Sequence, residues 1–413
     1  MDKTKIKLMV GLVVVCLATT FLWLGKAPFT AFGTGDPHPS SSLTTQPDEP
    51  DPDENSQNGA SGSTENPNDT TEAVHIEPEP LTVTIPTLSG PLELPVKGAT
   101  GWAAIDMPLY DEPSTESRTL VDFGAGQVFV IMEERGDWWY VESSYGEKGW
   151  VEHVACFINL PDVIPSIVYN ITNSYSALTR SSEYEIPGVT GQKLYDAGPV
   201  YNPRLSKDEF IVPALYSTSK LLCAAQHLAL EAGDTIIIHE AYRDRASLQR
   251  SVSLLRELMD SNEKVKSAIE DGPWSLTWFI ATAISNHQRG AAFDASLGKI
   301  LSYETKEVGE TSYLSLVAYA EYPMPTTIHE LSPLAITLVE PVSSRSRDAW
   351  RDVPLAETMT PGAKLLQKYF DEAGLTPLAS EWWHFNDLKG AAVATELEAT
   401  GSFLLGDILS VLP

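Results

Sequence analysis

Positive charge is scarce in this chain: its 413 residues hold 28 Lys and Arg against 56 Asp and Glu, for a formal net charge of -28. That balance favours solubility and excludes nucleic acid as a partner. Cysteine is scarcer still. Three residues, Cys16, Cys156 and Cys223, make no disulfide framework. Cys16 falls in an apolar run, and the other two are expected to be buried free thiols. No glycine loop of the phosphate-cradling kind occurs, which leaves no nucleotide site, and there is no internal repeat. Between Thr34 and Gly90, Lys and Arg are missing altogether, while Pro, Ser, Thr, Asn, Asp and Glu dominate. Such a segment cannot bury enough apolar surface to offset its chain entropy. Residues 34–95 are therefore expected to be a disordered acidic tether with a root-mean-square reach of about 40 Å.

Ahead of the tether, Lys3, Lys5 and Lys7 precede an apolar run from Leu8 to Leu24. Its length is near the lower limit of about 17 residues for a membrane span. Residues 1–33 thus read as an apolar helix serving as a signal anchor, or as a signal peptide cleaved near Ala31, Phe32 and Gly33. The lysines before the run place the N-terminus inside and all else outside. The expected location is extracytoplasmic, held at the membrane and cell wall, or secreted if the signal is cleaved.

After the tether, residues 96–160 carry short β-like runs separated by turn residues. Val128 to Met132 and Trp138 to Val141 are strand-like, and Gly136 and Gly146 fall in the gaps. The spacing suits a small all-β barrel. Leu109, Tyr110, the GDWWYV phrase and the closing Gly149-Trp150-Val151 resemble the bacterial SH3-like domains. That resemblance implies docking on peptidoglycan, with Trp138, Trp139, Tyr140 and Tyr145 as candidate contacts and barrel core as their other reading.

The chemistry is concentrated in two short phrases of the last part, residues 165–413: SNHQRGAAFD (Ser285 to Asp294) and SEWWHF (Ser380 to Phe385). A catalytic zinc site takes three ligands from His and carboxylate, leaves one position open, and keeps a further carboxylate nearby to move protons. His287, Asp294 and His384 qualify as ligands, and Glu381 as proton carrier. Six residues including Gly290 separate His287 from Asp294, so a tight turn brings both to one metal. Glu381 and His384 are three apart, which suits one face of a helix; on a strand, a bulge or end twist must re-aim one of them. Upstream, Thr235 to Ile238 reads as a buried strand, with Arg243 just beyond its end.

These phrases resemble the SxHxxGxAxD and ExWH signatures of the zinc D-alanyl-D-alanine peptidases, a group of VanY-type carboxypeptidases and the D-Ala-D-Ala dipeptidases of vancomycin resistance. By resemblance, His287, Asp294 and His384 bind Zn2+, Glu381 is the catalytic base, Arg243 steadies the oxyanion, and Ser285 binds the substrate's terminal carboxylate. Two bland readings stand beside these: Ser285 caps a turn, and Arg243 pairs with a nearby carboxylate. AYRD departs from the family's phrase by placing Asp244 where proline is usual. His227, His239 and His329 sit in no matching phrase and read as structural.

Helical patterns at Thr218 to Ala232, Ala246 to Met259 and Ala363 to Ala373 complete an α+β expectation, with a small, mainly antiparallel sheet flanked by helices. The last of these should cover the sheet at SEWWHF through Leu365, Leu366, Tyr369 and Phe370. Little of the family is recognisable between Lys299 and Thr360. The expected function is a zinc D-Ala-D-Ala carboxypeptidase acting on peptidoglycan stem peptides. A D-Ala-D-Ala dipeptidase is the second reading, and an inactive wall-binding protein the third.

Overall fold

The computed structural model describes residues 82–88, 90–171, 178–192, 199–270 and 272–403. The expected signal segment and the tether as far as residue 81 lie outside them. Among the described residues no helix is long and apolar enough to cross a membrane. Packed chain begins earlier than the expected boundary at residue 96: Leu92, Glu93 and Leu94 are buried, and Val83 and Ile85 pack against a small apolar cluster at Leu230, Ile300 and Leu314.

The first sheet is the barrel: β1 (Thr100–Ala103), β2 (Met107–Tyr110), β3 (Thr119–Phe123), β4 (Val128–Arg135), β5 (Trp138–Ser143), β6 (Lys148–Glu152) and β7 (Cys156–Asn159). Alternation along WWYVES sends Trp139 and Val141 into the core and leaves Trp138 and Tyr140 half-buried on the other face. Trp139 therefore drops out of the candidate wall contacts: it is fully buried.

Beyond the barrel come β8 (Val168–Tyr169), the small hairpins β9 (Arg180–Ser181) with β10 (Tyr184–Glu185) and β11 (Val200–Asn202) with β12 (Lys207–Glu209), and then β13 (Pro213–Leu215). β13 returns to the barrel and pairs antiparallel with β7, so the barrel sheet runs β13-β7-β1-β4-β5-β6-β2-β3.

The second sheet combines β14 (Asp234–Glu240), β15 (Ala292–Val308), β16 (Thr311–Glu321), β17 (Thr376–Leu378) and β18 (Glu381–Asn386) with β8. Its order is β17-β18-β15-β14-β8, with β16 also on β15, and every pairing but β14 with β8 is antiparallel. The helices Tyr216–Glu231 and Pro361–Glu372 pack against each other and against this sheet. As the apolar face of the second predicts, Phe370 stacks on Phe385, ring centroids 4.2 Å apart. The fold is thus mixed α+β with antiparallel sheets and a small SH3-like region.

One hydrophobic core serves both sheets, running from Trp102, Phe129 and Trp139 through Phe157 to Ile236, Phe293 and Trp383. Cys156 and Cys223 are buried and free, as expected; burial pushes both thiols well above their ordinary range.

Candidate functional site

The site is assembled by strand register. Asp294 on β15 lies opposite Glu240 of β14 on one side and opposite His384 of β18 on the other. Neighbouring strands bring such partners to within about 5 Å at Cα, so three ionisable side chains meet at one level. Two register shifts border that level, one between Ile238 and Glu240 and one between Pro377 and Leu378. The second lies against Glu381, and it answers the spacing problem of Glu381 and His384 on a strand: the bulge re-aims the pair. Glu381 Oε2 then stands 3.7 Å from His384 Nδ1.

His287 arrives from the turn before β15. Gly290 shapes that turn with φ +66°, and a Cβ added there would stand 2.5 Å from the Phe157 ring and 2.9 Å from Leu215 N. Leu215 N also donates to Gly290 O at 2.9 Å. The turn that carries His287 therefore rests directly on β7 and β13 of the barrel sheet. Phe157 further packs against Tyr242 and Phe403, whose own rings are stacked 4.5 Å apart.

The histidine tautomers are set by their outer partners. His287 Nδ1 lies 2.7 Å from Ala241 O, to which only an N–H bonds, so its Nε2 keeps a lone pair. His384 Nε2 lies 3.0 Å from Asn386 Oδ1, itself bonded by Asn286 Nδ2 at 2.7 Å, and this frees His384 Nδ1. The freed atoms converge: His287 Nε2 to His384 Nδ1 is 3.1 Å, and the two lie 3.2 and 2.9 Å from Asp294 Oδ1. Bonds of about 2.0–2.2 Å in a tetrahedron place ligand atoms roughly 3.3–3.6 Å apart. The three donors lie just inside that spacing, and their chemistry, two imidazole nitrogens and one carboxylate oxygen, fits zinc.

Electrostatics agree with the geometry. Burial would raise the Asp294 carboxyl, but the imidazoles of His287, His329 and His384 hold it well below the usual carboxylate range. Burial would depress His384, yet a proton on its Nδ1, shared with Asp294 in the place a metal would take, leaves it raised. Burial pushes Glu381 up to about 7, the range that suits a group exchanging protons near neutrality.

Arg243 lies three residues past the end of β14, on the wall of the cleft. Its Nη1 reaches Glu240 Oε2 at 3.0 Å, so the ion pair and the place in the cleft coexist. The departure at Asp244 has a local explanation. Its carboxylate accepts from Ser247 N and Ser247 Oγ at 2.9 and 2.8 Å, and so caps the helix Arg245–Ser261. Ser285 does not act as a turn cap through its hydroxyl. Its N–H donates to Gln288 Oε1 at 2.7 Å, while the Oγ, on the cleft wall, has no hydrogen-bond partner among the described residues. Trp382 and Trp383 are buried, and Trp383 walls the cleft.

Two residues at the site have no phrase to announce them. His329 Nε2 lies 3.1 Å from Asp294 Oδ2 and 3.7 Å from Glu240 Oε2. Glu240, Asp294 and His329 thus form a second group with metal-ligand chemistry, back to back with the first. By contrast, His239 turns to Ser296 Oγ at 2.8 Å and burial pushes it down to about 3, in keeping with a structural role.

A family model for a bacterial SH3 domain matches residues 103–154, the stretch that folds as β2 to β6. A comparison with curated proteins finds no match to this chain.

Proposed function

We propose that this protein is a zinc-dependent D-alanyl-D-alanine carboxypeptidase that trims the stem peptides of peptidoglycan and docks on the wall through its SH3-like barrel. The observation that carries the reading is the convergence of His287 Nε2, His384 Nδ1 and Asp294 Oδ1, with Glu381 and Arg243 on the same cleft.

Zinc held by those three atoms would supply a Lewis acid that acidifies water and polarises a carbonyl oxygen. Glu381, its carboxyl raised by burial to about 7 and set beside the ligands, in its carboxylate form takes a proton from the attacking water and returns it to the departing amine. Arg243, fixed by Glu240, meets the negative charge that develops on the carbonyl oxygen. The unpartnered Ser285 Oγ is free to bind the terminal carboxylate of the substrate.

Cleft size supports a peptide over a free dipeptide: about 940 Å³ lies near the top of the roughly 300–1,000 Å³ range of ordinary ligand sites. Barrel docking is supported by the outer aromatic face. Tyr110 meets Trp138 edge-on at 5.6 Å, Tyr140 meets Trp150 at 5.3 Å, and Arg135 lies over Trp150. Tyr145, 79% exposed, stands free of these pairs. The second reading, a D-Ala-D-Ala dipeptidase, keeps the support of the doubled Trp in EWWH. Offering the purified protein free D-Ala-D-Ala and a pentapeptide stem, and comparing cleavage rates, decides between them. Faster cleavage of the stem is expected, and preference for the free dipeptide would reverse the ranking. No zinc uptake and no cleavage of either would leave the third reading, a wall-binding protein.

A further inference from the structure

Resting on the zinc reading above, we propose that His329 is a positioning residue that fixes Asp294 as a one-oxygen metal ligand. On this assignment Glu240, Asp294 and His329 are an outer shell, in which His329 hydrogen-bonds Asp294 and pairs more loosely with Glu240, and not a second metal site.

The two oxygens of Asp294 face different ways. Oδ1 faces His287 and His384, whereas Oδ2 faces His329 Nε2 at 3.1 Å. An ionised carboxylate only accepts hydrogen bonds, so the His329 N–H is the donor. With Oδ2 engaged, the carboxylate can neither rotate nor offer both oxygens to one ion.

The same place is poorly made for a second cation. Glu240 Oε2, the third member of the group, already receives Arg243 Nη1 at 3.0 Å. A dication there would face a guanidinium at close range in a buried setting.

How His329 is delivered points the same way. Its φ is +62°, a left-handed backbone uncommon for a residue with a side chain. Such a conformation persists where its surroundings over-determine it, and it concentrates at functional sites. Here His329 O accepts from Arg180 N at 3.1 Å, and Leu331 N donates to Arg180 O at 2.7 Å. The next side chain, Glu330, accepts from Ser182 N and Glu183 N at 2.5 and 3.1 Å. On the other side the His329 ring meets Trp383 edge-on, centroids 5.9 Å apart.

The test is zinc affinity and stoichiometry of the full chain, measured by competition with a chelator. Wild type should bind one zinc. His329→Leu should weaken zinc binding by about 10- to 100-fold at an unchanged fold of the metal-free protein. His329→Gln, which still carries an N–H donor at similar reach, should recover most of the loss. Should the Leu variant fail to fold, His329→Asn serves in its place, because Asn tolerates positive φ but its donor is too short to reach Asp294. Wild-type zinc affinity in the Leu or Asn variant, or no recovery with Gln, overturns the proposal while leaving the zinc reading intact. Two zinc ions per chain, one lost on changing His329, would also overturn it. A wild-type chain that takes up no zinc removes the zinc reading and this inference together.

Discussion

The barrel sheet and the site-bearing sheet share one core, yet they use their interiors in opposite ways. Inside the barrel, Trp102, Phe129 and Trp139 fill space. At the heart of the other sheet, Glu240, Asp294 and His384 stand side by side, with Glu381 next to them. Burying so many ionisable groups costs several kcal/mol apiece unless each is bonded or paired. The cost is contained by partners on every side and by rigid packing beneath, and Phe157 under Gly290 supplies that packing from the barrel. The difference teaches that one region gathers the ionisable groups while its neighbour fixes where they stand.

That contrast can be broken most severely at Phe157. If the barrel buttresses the metal turn, Phe157→Ala should cost about 3–5 kcal/mol of stability and weaken zinc binding, read by denaturant unfolding and chelator competition. A loss of stability with unaltered zinc affinity would separate the two regions. Next in size is Glu381→Gln. Hydrolysis should fall on the order of 100-fold or more while zinc binding and melting temperature stay near wild type. Retained hydrolysis would remove the base from the mechanism.

The smallest effect concerns the seam between the regions. Glu93 is buried and accepts from Ser166 N at 3.1 Å and from Ser166 Oγ. Burial outweighs those bonds and pushes its pKa up to about 7. The folded chain therefore holds this proton more tightly than the unfolded one. The stabilising contribution is complete below the ordinary carboxylate range, about 4.5, and is lost as pH rises through about 7. Glu93→Gln should thus gain on wild type between pH 5 and pH 8, by up to a few kcal/mol. A constant difference across that range would show Glu93 to be ionised throughout.

How much of this could be read from the chain follows from the same contrast. His287, Asp294, Glu381 and His384 were legible because one turn and two strands carry them in two contiguous phrases. Arg243 was legible because a β-branched run ends just before it. Alternation along β5 marked the barrel strand, though it did not say which of Trp138 and Trp139 faces inward. Glu240 fell beyond the strand read at Thr235 to Ile238, and its meeting with Asp294 depends on a bulge at His239. His329 gave no signal: it comes from the irregular chain between β16 and the helix Pro361–Glu372, and its reach depends on a backbone angle that periodicity does not encode. The pairing of β13 with β7 joins distant segments through three residues, too short a run for any pattern.

That three-residue strand has a consequence for how the protein can change over generations. Modules joined by a slack linker are readily shuffled, lost or swapped. Here, a cut between residues 160 and 165 would strip the barrel sheet of its edge strand and leave the turn around Gly290 without its floor. The barrel sheet and the site-bearing sheet can thus change only together, as one structural unit.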